Sequence, residues 1–338
     1  MGRYLNPGME SFEKSVNSEI YVDKTGLVGY TNRVMNTVQG YVCVSRPRRF
    51  GKSMAANMLT AYYSRGCDSR EIFSKFEISE SPDFEKYRNK YNTIFLNMQE
   101  FLSRSDSVEA LVDRVKKLVL RDLKREYPDV DYFDDTDLVE SMQDIYETEK
   151  CPFVVIIDEW DCIFREFRQN KEAQEKYLDF LRDLLKDKAC IHLAYMTGIL
   201  PIKKYGTHSA LNMFDEFSMI NPGPLAPYVG FTEVEVEYLC HKYRMDMEEV
   251  KAWYDGYSFS MAASVYSPRS VVNSMLFGKI ENYWNQTETF EALQVYIDMN
   301  FDGLKDDVLS MIAGERIPVN TGSFTNDMIT FRTEDDVL

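Results

Sequence analysis

Arg46-Pro47-Arg48-Arg49-Phe50-Gly51-Lys52-Ser53 is the densest concentration of reactive groups in the chain. Three arginines, a lysine and a hydroxyl close to one glycine suit a polyanion approached by backbone. A tight loop turns its N–H groups inward, and a helix starting at its end points its positive pole at the same anion. Lys52 then reaches the β- and γ-phosphates of a nucleotide, and the Ser53 hydroxyl holds Mg²⁺. The expected nucleotide-binding stretch runs from Arg46 through Met54, although Arg46 stands where the usual motif begins with glycine. Not all of Arg46, Arg48, Arg49 and Lys52 can point inward. One arginine acts across a subunit interface, or it forms a solvent-facing salt bridge.

The second reactive set is Asp158-Glu159. Asp158 is expected to hold Mg²⁺, directly or through a coordinated water, and Glu159 to polarise the water attacking the γ-phosphate. The alternative for Glu159 is a surface carboxylate without a catalytic role. Thr197 either senses the γ-phosphate or merely ends a strand.

These groups need a scaffold that brings them together. Tyr41, Val42, Cys43 and Val44 form a strand entering the loop, and Met54, Ala55, Met58, Leu59 and Tyr62 share one face of a helix leaving it. Further strands are expected at Thr93–Met98, at Pro152–Ile157 just before Asp158, and at Ile191–Met196 just before Thr197-Gly198. Between them lie helical patterns through Val108–Leu123, Leu138–Tyr146 and Tyr177–Leu185. Strands alternating with helices predict a parallel sheet covered on both faces. Parallel strands finish at one edge, so the acidic pair emerges beside the lysine-bearing loop. The additional strand between loop and acidic pair points to the branch of P-loop proteins in which a Glu beside the Mg²⁺-linked Asp activates water. The fold class expected is α/β, a P-loop NTPase.

Ile20-Tyr21-Val22-Asp23-Lys24-Thr25 reads as an extended run before a helix over Leu27–Met35. It packs beside the nucleotide base or covers a sheet edge. The acidic run Asp129–Asp137 reads as a solvated connection. Asn221-Pro222-Gly223-Pro224-Leu225-Ala226-Pro227 breaks the pattern and marks a boundary. The division expected is a P-loop domain over 1–220, a linker over 221–227, and a mainly helical lid or winged-helix-like domain over 228–338. That last domain carries helices near Glu233–Tyr243, Met247–Tyr254 and Arg269–Phe277. Trp253-Tyr254-Asp255-Gly256-Tyr257 reads as a turn among aromatics, a packing knot or a binding surface. Thr333-Glu334-Asp335-Asp336 has the pattern of a helix start. One turn cannot stand alone, so the domain is expected to be cut short at Leu338.

With 39 basic against 55 acidic residues the 338-residue chain carries a net charge of −16. That excludes broad binding of nucleic acid across the whole surface and leaves room for a local basic groove. The six cysteines are scattered without a Cys-x-x-Cys pair, as for buried thiols in a reducing compartment. The three histidines are not at metal-binding spacing. No apolar run approaches membrane length, and a cytoplasmic location is expected.

Together these motifs resemble the bacterial AAA-ATPase-like proteins, relatives of archaeal-type P-loop ATPases. The resemblance rests on Tyr21-Val22-Asp23-Lys24-Thr25, the loop from Arg46 to Ser53, Ile157-Asp158-Glu159, and Thr197-Gly198-Ile199-Leu200. It continues through Leu211-Asn212, Gly230-Phe231-Thr232, Trp253-Tyr254-Asp255-Gly256-Tyr257 and Tyr283-Trp284. Within that family Arg46 at the glycine position is usual, whereas Trp160 stands where tyrosine is common and Ser267 where asparagine is. The resemblance implies Mg²⁺-dependent ATP binding and hydrolysis, coupled to a partner or to a nuclease-like domain of the PD-(D/E)XK type. That domain would lie past Leu338. DNA or RNA is then a candidate effector. A nucleotide-gated switch with little turnover is the alternative function. A small-molecule phosphotransferase is a third reading, but the sequence offers it no acceptor site.

Overall fold

Val42, Cys43 and Val44 are wholly buried, because β1 (Tyr41–Ser45) has a parallel partner on each edge and side-chain layers on both faces. The computed structural model describes residues 2–167, 170–200, 202, 211–219, 221–259, 262–283 and the isolated positions 310, 311 and 317. The expectations at Trp284 and Thr333–Asp336, and the C-terminal end of the 228–338 region, lie outside the described residues.

Five strands form the principal sheet: β1, β2 (Asn92–Asn97), β3 (Phe153–Asp158), β4 (Ile191–Gly198) and β5 (Asp215–Phe217). Their order is β2-β3-β4-β1-β5, and every pairing is parallel. Unbroken apolar runs are what such a sheet requires, since both faces are covered. Phe153, Val155 and Ile157 of β3 face one core with Cys43, while Val154 and Ile156 face the other with Val42 and Val44. Helices Val108–Glu126, Leu138–Glu149 and Lys171–Leu185 cover the first face; Lys52–Tyr63 and Gly26–Val34 cover the second. The covering helices start on side-chain caps, Ser107 for Val108, Asp137 for Leu138 and Asn170 for Lys171. Asp137 thereby gives one end of the acidic run a structural use, and Asp134 accepts from the Thr136 hydroxyl. Among the described residues no group of three or more His, Cys, Asp or Glu side chains is arranged to hold a metal.

The additional strand expected between the loop and the acidic pair is β2 in the chain; in the sheet it lies at the edge, and β4 stands between β1 and β3. One feature differs from the sequence reading. The segment Asp255–Phe259 is a strand, β7, begun directly at the end of helix Met247–Tyr254. It pairs antiparallel with β8 (Ala262–Tyr266), which also pairs with β6 (Phe231–Thr232). Pairing with the next strand in the chain, itself held by β6, overrides the turn signal.

Helices Glu233–Tyr243, Met247–Tyr254 and Pro268–Phe277 pack on this small sheet around a third apolar cluster that includes Val236, Val250, Tyr266 and Val271. Ile20, from the far end of the chain, completes that cluster. The Pro-rich stretch between the two sheets is also anchored, since Leu225 and Val229 are buried in the second-face core of the large sheet.

Candidate nucleotide site

The carboxyl ends of all five parallel strands meet at one edge. Register pairs Asn97 with Asp158, Val44 with Thr197 and with Phe217, and Ser45 with Gly198. The chain leaves β1 at this edge and turns through Arg46–Gly51 before the loop helix Lys52–Tyr63 begins. Arg49 (φ 70°) and Gly51 (φ 90°) both take left-handed backbone. A Cβ placed on Gly51 would meet nothing within 4 Å, so the loop presents its backbone to open space. Lys52 is nearly buried, and its Nζ donates to the carbonyls of Arg46 and Pro47, each at 2.9 Å. Burial pulls the Lys52 ammonium below its usual range, and the carboxylates of Glu159, Asp161 and Asp158 oppose that shift.

Arg46 departs from its expected position. Its side chain is 1% exposed and points into the second-face core, where Nη1 donates to the carbonyls of Ser45 and Phe217. The cause is strand alternation. Val42 and Val44 face that core, and Arg46 is next in the same series. Burial pushes its guanidinium down to about 10, with Tyr195 acting in the opposite direction. Only the Arg46 and Pro47 carbonyls serve the loop, as acceptors for Lys52. Arg48 and Arg49 are exposed, Ser53 and Met54 are exposed on the first turn of the helix, and Phe50 is buried beneath the loop.

Asp158 closes β3 at 1% exposure; one carboxylate oxygen accepts from the Thr197 hydroxyl, and the other, Oδ2, is buried without a partner. Glu159 follows in left-handed backbone (φ 56°) and forms an ion pair with Arg165 of helix Cys162–Glu166. Burial raises the Glu159 carboxyl, while Arg165 and Lys52 hold it down.

These groups border a cavity of about 1070 Å³. Arg48, Arg49, Phe50, Gly51, Lys52, Ser53, Met54 and Glu159 line it; Arg46, Pro47, Asp158 and Thr197 do not. The extended strip Ile20–Lys24 forms another side, with Phe231 and Arg269 reaching it from the small-sheet region. Lys24 joins these parts, its Nζ 2.6 Å from the Glu235 carboxylate and 2.7 Å from the Pro227 carbonyl. At Gly230 (φ 113°) the chain passes so close to Val265 and Phe50 that a Cβ would fall 2.4 Å from the first and 3.3 Å from the second. The lining holds six cationic side chains (Lys24, Arg48, Arg49, Lys52, Arg165, Arg269) and three carboxylates (Glu100, Glu159, Glu166). In a chain of net charge −16 that local excess of positive charge selects an anion.

Asp161, Arg165 and Arg269 had no site role in the sequence reading, and Lys24 entered it only as part of the run Ile20-Tyr21-Val22-Asp23-Lys24-Thr25. A cation on the short apolar run Cys162-Ile163-Phe164 was the one available signal for Arg165. Asp161 is wholly buried, and its Oδ2 accepts from the N–H groups of Ile199 and Leu200 at 3.1 and 2.9 Å. It thus pins the chain leaving β4. Asp161→Ala is expected to lower unfolding free energy by about 3 kcal/mol in urea titrations, since two N–H groups lose their acceptor and Arg165 loses a neighbouring charge. Asp161→Asn keeps an acceptor oxygen and should lose less than half of that.

The sequence profile of a family described as "Predicted AAA-ATPase" matches residues 6–207. A curated relative, an uncharacterised protein in the vnfD 5′ region of Azotobacter chroococcum mcd 1, is 25% identical over 298 residues. That alignment takes in 83% of this chain, which spans about half (54%) of the relative's length. Among solved structures, replication initiator DnaA bound to AMPPCP and single-stranded DNA superposes with a TM-score of 0.38 at 9% identity, over 94% of this chain and 77% of that one. ORC2 of Aeropyrum pernix, in ADPNP–ADP complexes, gives a TM-score of 0.38 at 11% identity, over 90% and 72%.

Proposed function

The chain belongs to the predicted AAA-ATPase family, and from that premise we propose that it binds ATP with Mg²⁺ in the cavity beside the lysine-bearing loop and hydrolyses it. One observation carries this reading: Lys52, Asp158, Glu159 and Thr197 come together at a single sheet edge, against a cavity rich in cations. The donor set fits a divalent ion between phosphates. The buried Asp158 Oδ2 lacks a partner and Ser53 is exposed at the start of the loop helix. Asp158, directly or through a coordinated water, and the Ser53 hydroxyl would hold Mg²⁺, which supplies charge neutralisation to the phosphate oxygens.

The protein's own groups do the rest. Loop N–H groups and Lys52 bind the phosphate chain, with Lys52 exchanging its bonds to the Arg46 and Pro47 carbonyls for phosphate oxygens. Glu159 accepts a proton from water as the water oxygen bonds to the γ-phosphorus. The bond from that phosphorus to the β–γ bridging oxygen breaks, and ADP and phosphate leave. Residues 228–338, following the linker, act as a lid whose position reports nucleotide state to a partner or to a downstream nuclease-like domain. Any DNA or RNA effector would meet a local basic surface and would stimulate turnover in a salt-sensitive way.

The test is phosphate release with Mg²⁺-ATP, run alongside thermal melting. Release above background that chelation of Mg²⁺ abolishes is the expected result; the lack of both phosphate release and any shift in melting temperature would refute the reading. The ion pair between Glu159 and Arg165 favours a second reading, a nucleotide-gated switch with slow turnover, because the water-activating carboxylate is already engaged. In that case ATP raises the melting temperature while phosphate stays at background.

A further inference from the structure

Arg165 belongs to none of the loop or strand-end motifs, yet it lines the same cavity as Lys52 and Ser53. Its side chain is 12% exposed and sits among three acceptors, two from the turn after β3 and one from helix Met98–Leu102. Nη2 donates to Glu159 Oε2 and lies 3.4 Å from Gln99 Oε1, while Nε is 3.4 Å from Asp161 Oδ2. Arg165 and Lys52 both line this cavity. A guanidinium bound to one carboxylate beside a phosphate site has two competing partners. A γ-phosphate offers more negative charge and a set of oxygens matched to the planar fork.

We propose that Arg165 reads whether the bound nucleotide carries a γ-phosphate: without it Arg165 holds Glu159 in an ion pair, and with it the guanidinium turns to the phosphate oxygens and releases Glu159. This rests on the nucleotide-binding reading above and adds to it a built-in control of the water-activating carboxylate. ADP does not displace the pair, so Glu159 is set free only when there is a γ-phosphate to attack. Asp161 and Gln99 keep the arginine at the cavity wall in either state.

The experiment is calorimetric titration with ATPγS and with ADP, each with Mg²⁺, on the parent chain, Arg165→Ala, Glu159→Ala and the double variant. Arg165→Ala should weaken ATPγS about tenfold or more and leave ADP within about twofold. Arg165→Lys should recover part of the ATPγS preference, since it returns the charge without the fork. Glu159→Ala should tighten ATPγS several-fold while Arg165 is present and not in the Arg165→Ala background, because only the freed guanidinium transmits the gain. An unchanged ratio of ATPγS to ADP affinity in a folded Arg165→Ala protein would overturn the inference. So would an equal gain from Glu159→Ala in both backgrounds, which is direct repulsion alone. If the parent binds neither nucleotide, the function proposed above fails first, and the two failures are thereby told apart.

Discussion

Lys52→Ala is expected to remove measurable ATP turnover and to weaken ATP binding by two to three orders of magnitude. The lysine is the one loop cation both nearly buried and at the cavity wall. It is held there by two carbonyls that a phosphate can replace. A preorganised donor aimed at developing phosphate charge in a water-poor site contributes about 3–4 kcal/mol, or about 10²–10³ in rate. Burial already weakens the lysine's hold on its proton, and a triphosphate beside it reverses that effect. The loss should therefore exceed that for Arg49→Ala, whose side chain is exposed and partly screened by solvent. The measurements are steady-state phosphate release and titration with a fluorescent ATP analogue. Lys52→Met separates charge from volume: equal losses in Ala and Met variants assign the effect to the ammonium. Parent-like turnover in both would remove the loop from the mechanism.

What the sequence disclosed, and what it hid, follows from the range of each interaction. Gly51-Lys52-Ser53 and Asp158-Glu159 are legible because phosphate chemistry demands residue types at fixed short spacing, each beside an apolar strand. Helices Glu233–Tyr243 and Met247–Tyr254 are legible because one apolar face repeats at helical period and, for the first, Thr232 and Glu235 form a capping box. The small antiparallel sheet was not, because β6 is two residues long and β7 begins without a break after a helix. The direction of Arg46 was within reach of the same alternation that placed Val42 and Val44, but counting charge near a phosphate hid it. Arg165 was out of reach. Its significance lies in meeting Glu159, Asp161 and Gln99, and the last of these is 66 positions away in the chain.

Glu159→Gln separates binding from turnover. The amide keeps the size of the side chain and an oxygen able to accept from Arg165, but it cannot take a proton from water. Loss of a general base lowers rate by about 10²–10⁴, so phosphate release should fall by that factor while ATP affinity holds or improves. Removing one negative charge from a cavity that must accept a triphosphate acts in favour of binding, and the neutral amide also competes less well for the Arg165 guanidinium. Bound ATP should then survive on the Gln variant for many parent turnover times, as read by rapid filtration of radiolabelled nucleotide. Lys52→Ala should instead lose the nucleotide itself. The contrast carries the argument, because a general structural defect would lower both quantities in both variants. Equal turnover in Glu159→Gln and the parent would leave the loop as a nucleotide holder and move water activation to some other group.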